Sequence, residues 1–216
     1  MSNLLPKGPF GAILADPPWR FRNWSMNELA TRGEKWARRN GRSPYNVMDT
    51  EDICALPVKD IAAKNSVLFL WATYPKLEDA LKVIPAWGFQ YKTVAHTWVK
   101  LNPSGVGWHF GLGYWTRGNP EICLLATRGK PKRVDNCVAN LLISPRRDHS
   151  RKPNEVHERI ERLVAGPYCE LFARETRLGW TTWGEDLALR EVTNDSIRIA
   201  AARCGAAMRS GGNRDL

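Results

Sequence analysis

Four consecutive residues, Asp16, Pro17, Pro18 and Trp19, combine groups that suit recognition of a planar ring bearing an amino group. They follow directly on the apolar run 10–15, which predicts a short buried strand. Each proline fixes its own φ and lacks an N–H group, so nearby carbonyl oxygens are expected to remain available as acceptors. The Asp16 carboxylate also accepts hydrogen bonds, and the Trp19 ring offers a flat apolar face. The segment therefore predicts two acceptors for the amino N–H bonds and a ring for stacking.

The same four residues predict a reaction at the amino nitrogen. When both N–H bonds are held, the nitrogen lone pair is less delocalised into the ring and points at an electrophile. Positive charge that develops on the nitrogen is stabilised by a fixed carboxylate and by a carbonyl dipole. A methyl sulfonium is the natural electrophile, so the segment predicts amino-group methylation from S-adenosylmethionine. The alternative is a plain turn after a strand, since Asp-Pro often opens turns.

Size and composition narrow the classes of protein to consider. The chain has 216 residues, 43% of them apolar, which favours one folded domain with an α/β core. It contains no apolar run of roughly 18 residues and its first residues lack a secretory signal, so a cytoplasmic protein without a membrane span is expected. The cysteines and histidines show no metal-ligand spacing. We therefore expect reduced thiols and no metal site.

The net charge of +10 favours a polyanionic partner, because neutralisation of phosphates drives much of nucleic-acid affinity. Basic residues concentrate in two stretches, 20–42 and 146–152. Tryptophans interleave the cations of the first stretch, as a base-stacking surface requires. A solvated loop explains the charges equally well, but it explains the tryptophans less well. The candidate nucleic-acid contacts in this stretch are Trp24, Trp36, Arg38 and Arg39.

Hydrophobic patterns predict strands that alternate with helices. Strands are expected at 10–15, 66–72, 90–100, 121–127, 138–143 and 168–174, followed by a turn and the segment 181–184. Helices are expected after Thr50, near 76–86 and at 153–165, the last with an apolar stripe and with Gly166 beyond its end. This alternation predicts a doubly wound, mostly parallel α/β sheet, which binds ligands beyond the carboxyl ends of its strands.

Two residues connect this architecture to the chemistry. Asp16 and Arg174 both stand at predicted strand carboxyl ends, so they are expected to face one crevice. Two long stretches with little periodicity, 20–49 and 101–119, are expected to be functional loops. We expect residues 1–190 to form the catalytic domain and residues 191–216 to form a terminal helix and a flexible tail.

Several ordered motifs resemble the MT-A70 family of adenine-N6 methyltransferases, which includes the messenger-RNA adenosine methyltransferase and many bacterial and phage DNA methylases. The resemblance runs from about Phe10 to Leu187, in the pieces 15–19, 45–48, 68–71, 97–100, 113–118, 149–155, 170–174 and 183–184. It implies a permuted Rossmann-like fold, in which the catalytic strand precedes the cofactor strand. It also implies S-adenosylmethionine as the cofactor.

The resemblance assigns residues to the cofactor. Lys152 is expected to pair with the methionine carboxylate, and a lysine just before a helix adds to the positive charge at the start of that helix. The residues expected to border the adenosine are Glu170, Phe172 and Arg174.

Two further assignments come from the resemblance. An amide-bearing pair usually follows Gly184 in the family, but Glu185 and Asp186 stand there in this chain. Because two acids disfavour a carboxylate neighbour, ribose hydroxyls are the expected partners of this pair. Tyr45 corresponds to a position beside the target base and is expected to contact the substrate.

The residues and the resemblance together predict methylation of adenine N6 in DNA. The compact layout favours a bacterial or phage DNA enzyme by analogy, and a homodimer is left open because family members often work in pairs. Methylation of RNA stays an alternative, since contacts to a 2′-OH group cannot be read from spacing. Methylation of a protein glutamine conflicts with the basic charge. A non-catalytic nucleic-acid-binding partner conflicts with the intact Asp16.

Overall fold

The computed structural model describes residues 4–21, 47–111, 113, 115–147, 151–184 and 187. Seven strands occur in this part of the chain: β1 (Phe10–Ala15), β2 (Ala62–Ala72), β3 (Gln90–Leu101), β4 (Glu121–Arg128), β5 (Leu141–Pro145), β6 (Tyr168–Leu171) and β7 (Trp180–Trp183). The helices are α1 (Thr50–Ala55), α2 (Val58–Ile61), α3 (Leu77–Ala86) and α4 (Glu155–Leu163), with a 3-10 turn at Tyr74–Lys76. The expected terminal helix and tail, residues 191–216, lie outside the described residues.

The strands form one sheet in the order β5-β3-β4-β2-β1-β6-β7. Strand β4 runs antiparallel to β2 and β3, and the other four pairings are parallel. The predicted mostly parallel α/β sheet is therefore confirmed. The described part of the β3–β4 connection contains no helix. Since a parallel neighbour requires a long crossover, usually helical, this connection returns the chain as an antiparallel strand.

Alternate residues of the central strands pack on opposite faces of the sheet. Ile13 of β1 belongs to a core cluster with Ile53 of α1 and Ile84 of α3. Its neighbour Leu14 belongs to a second cluster with Ile160 of α4. Because successive strand side chains point to opposite faces, both faces are covered by helices, as the doubly wound prediction requires. In the described part of the chain, no helix is long and apolar enough to cross a membrane.

Some element bounds differ from the predicted ones for local reasons. Strand β6 ends at Leu171, because Phe172 adopts a φ of 62° that no strand continues. Helix α4 begins at Glu155, after Asn154 at its N-cap, and ends at Leu163 because Val164 is extended. These differences leave the order of the elements unchanged.

The strand ends that bear the candidate functional residues lie at one edge of the sheet. Strands β1 and β6 are parallel and pair Ala15 with Leu171, so Asp16 and the segment after β6 leave the sheet at the same edge. Strand β4 is antiparallel and therefore begins where β2 ends, with Ala72 opposite Ile122. Its first residue, Glu121, consequently lies at this edge too. The sequence pattern did not predict that placement, because it depends on the direction of β4.

Candidate active site at the carboxyl edge of the sheet

Backbone hydrogen bonds fix the segment that follows β1. The Trp19 amide donates to the Pro17 carbonyl at 2.8 Å, and the Met48 amide donates to the Pro18 carbonyl at 2.8 Å. The indole Nε1 of Trp19 donates to the Trp71 carbonyl at the end of β2, at 3.1 Å. The segment is thus tied to the end of the neighbouring strand and to residue 48. Asp16, at the start of this segment, is held in one position relative to the sheet.

Two details differ from the sequence-based expectation for this segment. The Pro17 and Pro18 carbonyls each already accept one backbone N–H group, so each retains only its second lone pair for a ligand. Trp19 is 5% exposed and packs in the core, so little of its face is open for stacking. Its contribution is to hold the end of β1 against the end of β2.

Asp16 stands at one end of a row of four side chains whose charges alternate in sign. The Lys152 Nζ lies 2.6 Å from Asp16 Oδ2 and 3.2 Å from Glu121 Oε2. The other oxygen of Glu121 lies 2.5 Å from Lys100 Nζ. The Lys152 ammonium also lies 5.4 Å from the centre of the Trp71 ring, in a cation–π contact. All four charged side chains are largely buried, which strengthens each attraction and makes each partner costly to remove.

Burial and charge oppose each other in setting the pKa values of this row. Burial raises the pKa of the Asp16 carboxyl above its ordinary value, against the lowering effect of Lys152, while the Glu121 charge raises it further. Burial also acts to raise the pKa of Glu121, but Lys152 and Lys100 together hold it below its ordinary value. Burial disfavours the charged form of Lys152, yet Asp16 and Glu121 hold its pKa above its ordinary value. Lys152 therefore stays positive and favours an ionised Asp16.

Glu121 is the residue of this row that the sequence analysis missed. It appeared only as the first residue of an apolar strand, yet the structure places it 7% exposed between two lysines. A buried glutamate needs a cation nearby, so an acid that opens an apolar strand after a glycine-rich loop is the signal that could have identified it.

A cavity of about 360 Å³ opens beside Asp16. The resemblance assigned four residues of the described part of the chain to the cofactor, and all four line this cavity. Trp71, 1% exposed, forms part of its wall from the core. The lining side chains that matter for a ligand are Asp16, Trp71, Lys152, His157, Glu170, Phe172, Arg174 and Leu178.

The turn that presents Phe172 and Arg174 to this cavity has a fixed backbone. Phe172 adopts the left-handed region at φ 62°, which is uncommon for a residue with a side chain and tends to persist at functional sites. The next amide, of Ala173, donates to the Trp183 carbonyl at 2.9 Å. A Cβ at Gly184 would collide with the Ala173 carbonyl, so only glycine permits this close approach. The turn is therefore locked against the end of β7.

Glu170 is oriented by a histidine that the sequence analysis did not assign. The Nε2 atom of His157, on α4, lies 2.8 Å from Glu170 Oε2. The His157 ring also packs against the Trp180 ring in a T-shaped arrangement, with 4.8 Å between ring centres. The position of Glu170 at the cavity wall is thus set by both α4 and β7.

A second, smaller cavity of about 70 Å³ also borders Asp16. It is lined by the whole segment from Asp16 to Trp19, together with Phe21 and Glu121. The residues common to both cavities are Asp16, Trp71, Lys152 and Arg174. Two ligands, one in each cavity, would therefore meet at the Asp16 carboxylate.

The remaining residues assigned from the sequence lie outside the described residues. They are Trp24, Trp36, Arg38, Arg39, Tyr45, Glu185 and Asp186. Their assignments to substrate and cofactor stay predictions.

Glu121→Gln is expected to move the acid limb of the pH–activity profile to lower pH. The negative charge of Glu121 raises the pKa of Asp16, so removing that charge lowers this pKa and keeps Asp16 ionised in more acidic solution. The measurement is kcat/KM against pH. Glu78→Gln, at an exposed glutamate of α3, serves as the control and is expected to leave the limb in place. An acid limb that stays put or moves upward in Glu121→Gln contradicts the charge row.

Known proteins are similar to this chain over most of its residues. The MT-A70 family profile matches residues 10–186. The chain is 31% identical over 196 residues to the type II methyltransferase M.MunI of Mycoplasma sp, covering 85% of this chain and 80% of that protein. It is also 31% identical over 196 residues to a putative N(6)-adenosine-methyltransferase MT-A70-like of Medicago truncatula, covering 88% of this chain and 28% of that protein.

A third relative extends the comparison to animals. The chain is 27% identical over 185 residues to the human N(6)-adenosine-methyltransferase catalytic subunit METTL3, covering 83% of this chain and 28% of that protein. The chain thus spans about a quarter of the length of the plant and human relatives, but most of the length of M.MunI.

Proposed function

The chain belongs to the MT-A70 family of adenine-N6 methyltransferases, and we propose that it methylates the N6 amino group of adenine in DNA with S-adenosylmethionine as donor. The observation that carries this proposal is the meeting of the two cavities at Asp16. The match spans 80% of the type II methyltransferase M.MunI but 28% of the N(6)-adenosine-methyltransferase METTL3, which favours DNA over RNA. We also propose a cytoplasmic enzyme, because the similar protein M.MunI comes from a bacterium, in which DNA lies in the cytoplasm.

The larger cavity fits the chemistry of S-adenosylmethionine. Lys152 supplies positive charge for the carboxylate, and Glu170 supplies acceptor oxygens for ribose hydroxyls. Trp71 Nε1 is buried and has no hydrogen-bond partner among the described residues, so a ligand in this cavity can supply the missing acceptor. The donor, when bound, supplies an electrophilic methyl group on sulfur. Phe172 and Leu178 provide apolar surface for its adenine ring.

The smaller cavity is the side from which the acceptor amino group approaches. Asp16 accepts an N–H bond of that group and stabilises the positive charge that develops on the nitrogen. Lys152 holds the Asp16 carboxylate in place at 2.6 Å, and Glu121 holds Lys152. Because burial raises the pKa of Asp16, its carboxylate is also a better acceptor for the proton that the nitrogen finally loses.

The target adenine of a duplex must leave the base stack to reach this cavity. That step costs on the order of a few kcal/mol, and least where the base is already unpaired. The cavity is small, and residues 16–19 together with Phe21 form part of its wall, so a base extruded from the helix is the form that can enter. We therefore expect single-stranded or easily opened sites to be methylated fastest.

The proposal is tested by incubating the purified protein with S-adenosylmethionine labelled in the methyl group. Duplex DNA, single-stranded DNA and RNA of one sequence set are offered in parallel, and the products are digested to nucleosides. Label in N6-methyldeoxyadenosine is the expected result. Label confined to N6-methyladenosine of RNA would replace DNA by RNA as the substrate. Cofactor binding without transfer to any of the three overturns the proposed activity.

Glu170→Gln is expected to weaken binding of S-adenosylmethionine by roughly tenfold, which corresponds to about 1.4 kcal/mol. The amide keeps the shape of the side chain but lacks the negative charge. It is therefore a weaker acceptor for hydrogen bonds from ribose hydroxyls and a weaker partner for His157. Isothermal titration of the cofactor measures the change. Glu158→Gln, at an exposed position of α4, is the matched control. Equal affinities for the Glu170 variant and the wild type would remove Glu170 from the cofactor site.

A further inference from the structure

The connection between β3 and β4, residues 102–120, exposes large aromatic side chains in its described part, and we refer to it as the aromatic loop. Trp108, Phe110 and Trp115 are 52%, 65% and 93% exposed. Gly111 and Gly118 pair across the loop, with the Gly111 amide donating to the Gly118 carbonyl at 2.8 Å. Trp115 lies in the chain between these two paired glycines, and its side chain is almost fully exposed to solvent. Burying such rings is favourable, so a cluster of exposed ones indicates a binding surface.

Hydrogen bonds anchor the aromatic loop beside the smaller cavity. The Asn119 side chain accepts a hydrogen bond from the Lys100 amide at 2.9 Å and donates to the Lys100 carbonyl at 2.9 Å. Its Nδ2 also donates to the His109 carbonyl. Lys100 in turn bonds Glu121, which lines the smaller cavity. The aromatic loop therefore begins and ends beside the cavity that receives the target base.

The charge around the aromatic loop is positive. Residues 101–120 contain no aspartate or glutamate, and Arg117 is exposed within the loop. Exposed Arg146 lies beside the start of the loop, since its amide donates to the Leu101 carbonyl at 2.9 Å. Partial burial, followed by the charges of Arg146 and Lys100, lowers the pKa of His109. One cation within the loop and one beside its start thus accompany the exposed rings.

We propose that the aromatic loop binds single-stranded nucleic acid by stacking on the unpaired bases next to the target adenine. This inference rests on the proposed function, because it assigns a second contact surface to the same substrate. Aromatic rings stack on any base, and neighbouring cations neutralise the phosphates, which is the pattern of single-strand binding surfaces. A second copy of the chain fits the surface less well, since two copies of a patch without acids repel each other.

Trp115→Ala tests this inference with a labelled, adenine-containing single-stranded DNA oligonucleotide and fluorescence anisotropy. The Kd is expected to rise roughly 5- to 150-fold, the effect of losing one base-stacking ring. Trp115→Phe retains a ring and is expected to restore most of the affinity. Tyr91→Ala is the matched control, because Tyr91 is also exposed but lies near the start of β3, at the opposite end of that strand from the aromatic loop. Affinity for S-adenosylmethionine is expected to stay unchanged in all three variants.

The outcomes separate the inference from the proposed function. An unchanged oligonucleotide Kd in Trp115→Ala overturns the inference, even when the wild type methylates DNA. A loss of affinity that accompanies dissociation of a dimer in sedimentation also overturns it and assigns the loop to a second copy. A ring-dependent Kd in a protein that transfers no methyl group supports the inference while the proposed function fails. Since Trp115 is 93% exposed, the melting temperatures of both Trp115 variants are expected to match that of the wild type.

Discussion

Asp16→Asn is expected to lower kcat by on the order of 10²- to 10³-fold or more, with little change in the affinity for S-adenosylmethionine. The amide has the size of the carboxylate but no charge, so it cannot stabilise the positive nitrogen of the acceptor. It also loses the charge-assisted bond at 2.6 Å from Lys152, while Glu121 remains as a partner for that lysine. Because one carboxylate partner persists, the fold and the cofactor cavity are expected to survive the change.

Single-turnover transfer from labelled cofactor to DNA measures the chemical step of this variant directly. Asp52→Asn, at an exposed aspartate in the first turn of α1, is the control and is expected to react at the wild-type rate. An Asp16→Asn enzyme that reacts at the wild-type rate removes Asp16 from the chemistry. An Asp16→Asn protein that no longer binds the cofactor would instead show that the carboxylate acts mainly by shaping the larger cavity.

Local patterns were sufficient to predict the strands and the edge of the sheet on which the site lies. The apolar run 10–15 followed by Asp16 identified a strand and its functional end, and the structure confirms this strand as β1. The strand predicted at 168–174 is present as the shorter β6, and Arg174 follows the end of this strand instead of lying in it. Such features depend on neighbours in sequence, so they can be recognised without knowing the fold.

Features that depend on the pairing of distant strands could not be predicted in this way. Glu121 reaches Lys152 only because β4 runs antiparallel to β2, and nothing in residues 121–128 specifies the direction of that strand. The contact between His157 and Glu170 likewise requires the packing of α4 against the sheet. Trp19 illustrates the reverse case, because its residue type suggested an open stacking face while its hydrogen bond to the Trp71 carbonyl places it in the core.

Lys152→Met is expected to cost about 3–5 kcal/mol of folding free energy at neutral pH, because it leaves buried acids without their shared cation. The Lys152 side chain is 13% exposed and lies between Asp16 and Glu121. Methionine fills a similar volume, so the loss comes from charge rather than from a cavity. Lys82→Met is the control, because Lys82 is 68% exposed and its Nζ lies 3.7 Å from Asp79. This substitution is expected to cost less than about 1 kcal/mol of folding free energy.

The pH dependence of Lys152→Met distinguishes a charge effect from a packing defect. In the wild type, the lysines hold the pKa of Glu121 below its ordinary value, so this carboxylate stabilises the fold above its unfolded-state pKa and loses that contribution as the pH falls. Without Lys152, burial raises the Asp16 pKa further, so the folded variant binds more protons than the unfolded chain and loses stability as the pH rises. The stability gap from the wild type, measured by urea unfolding from acidic to neutral pH, is therefore expected to widen with pH. A stability gap of the same size at every pH indicates lost packing. If the variant is as stable as the wild type at neutral pH, Lys152 does not hold the two carboxylates together.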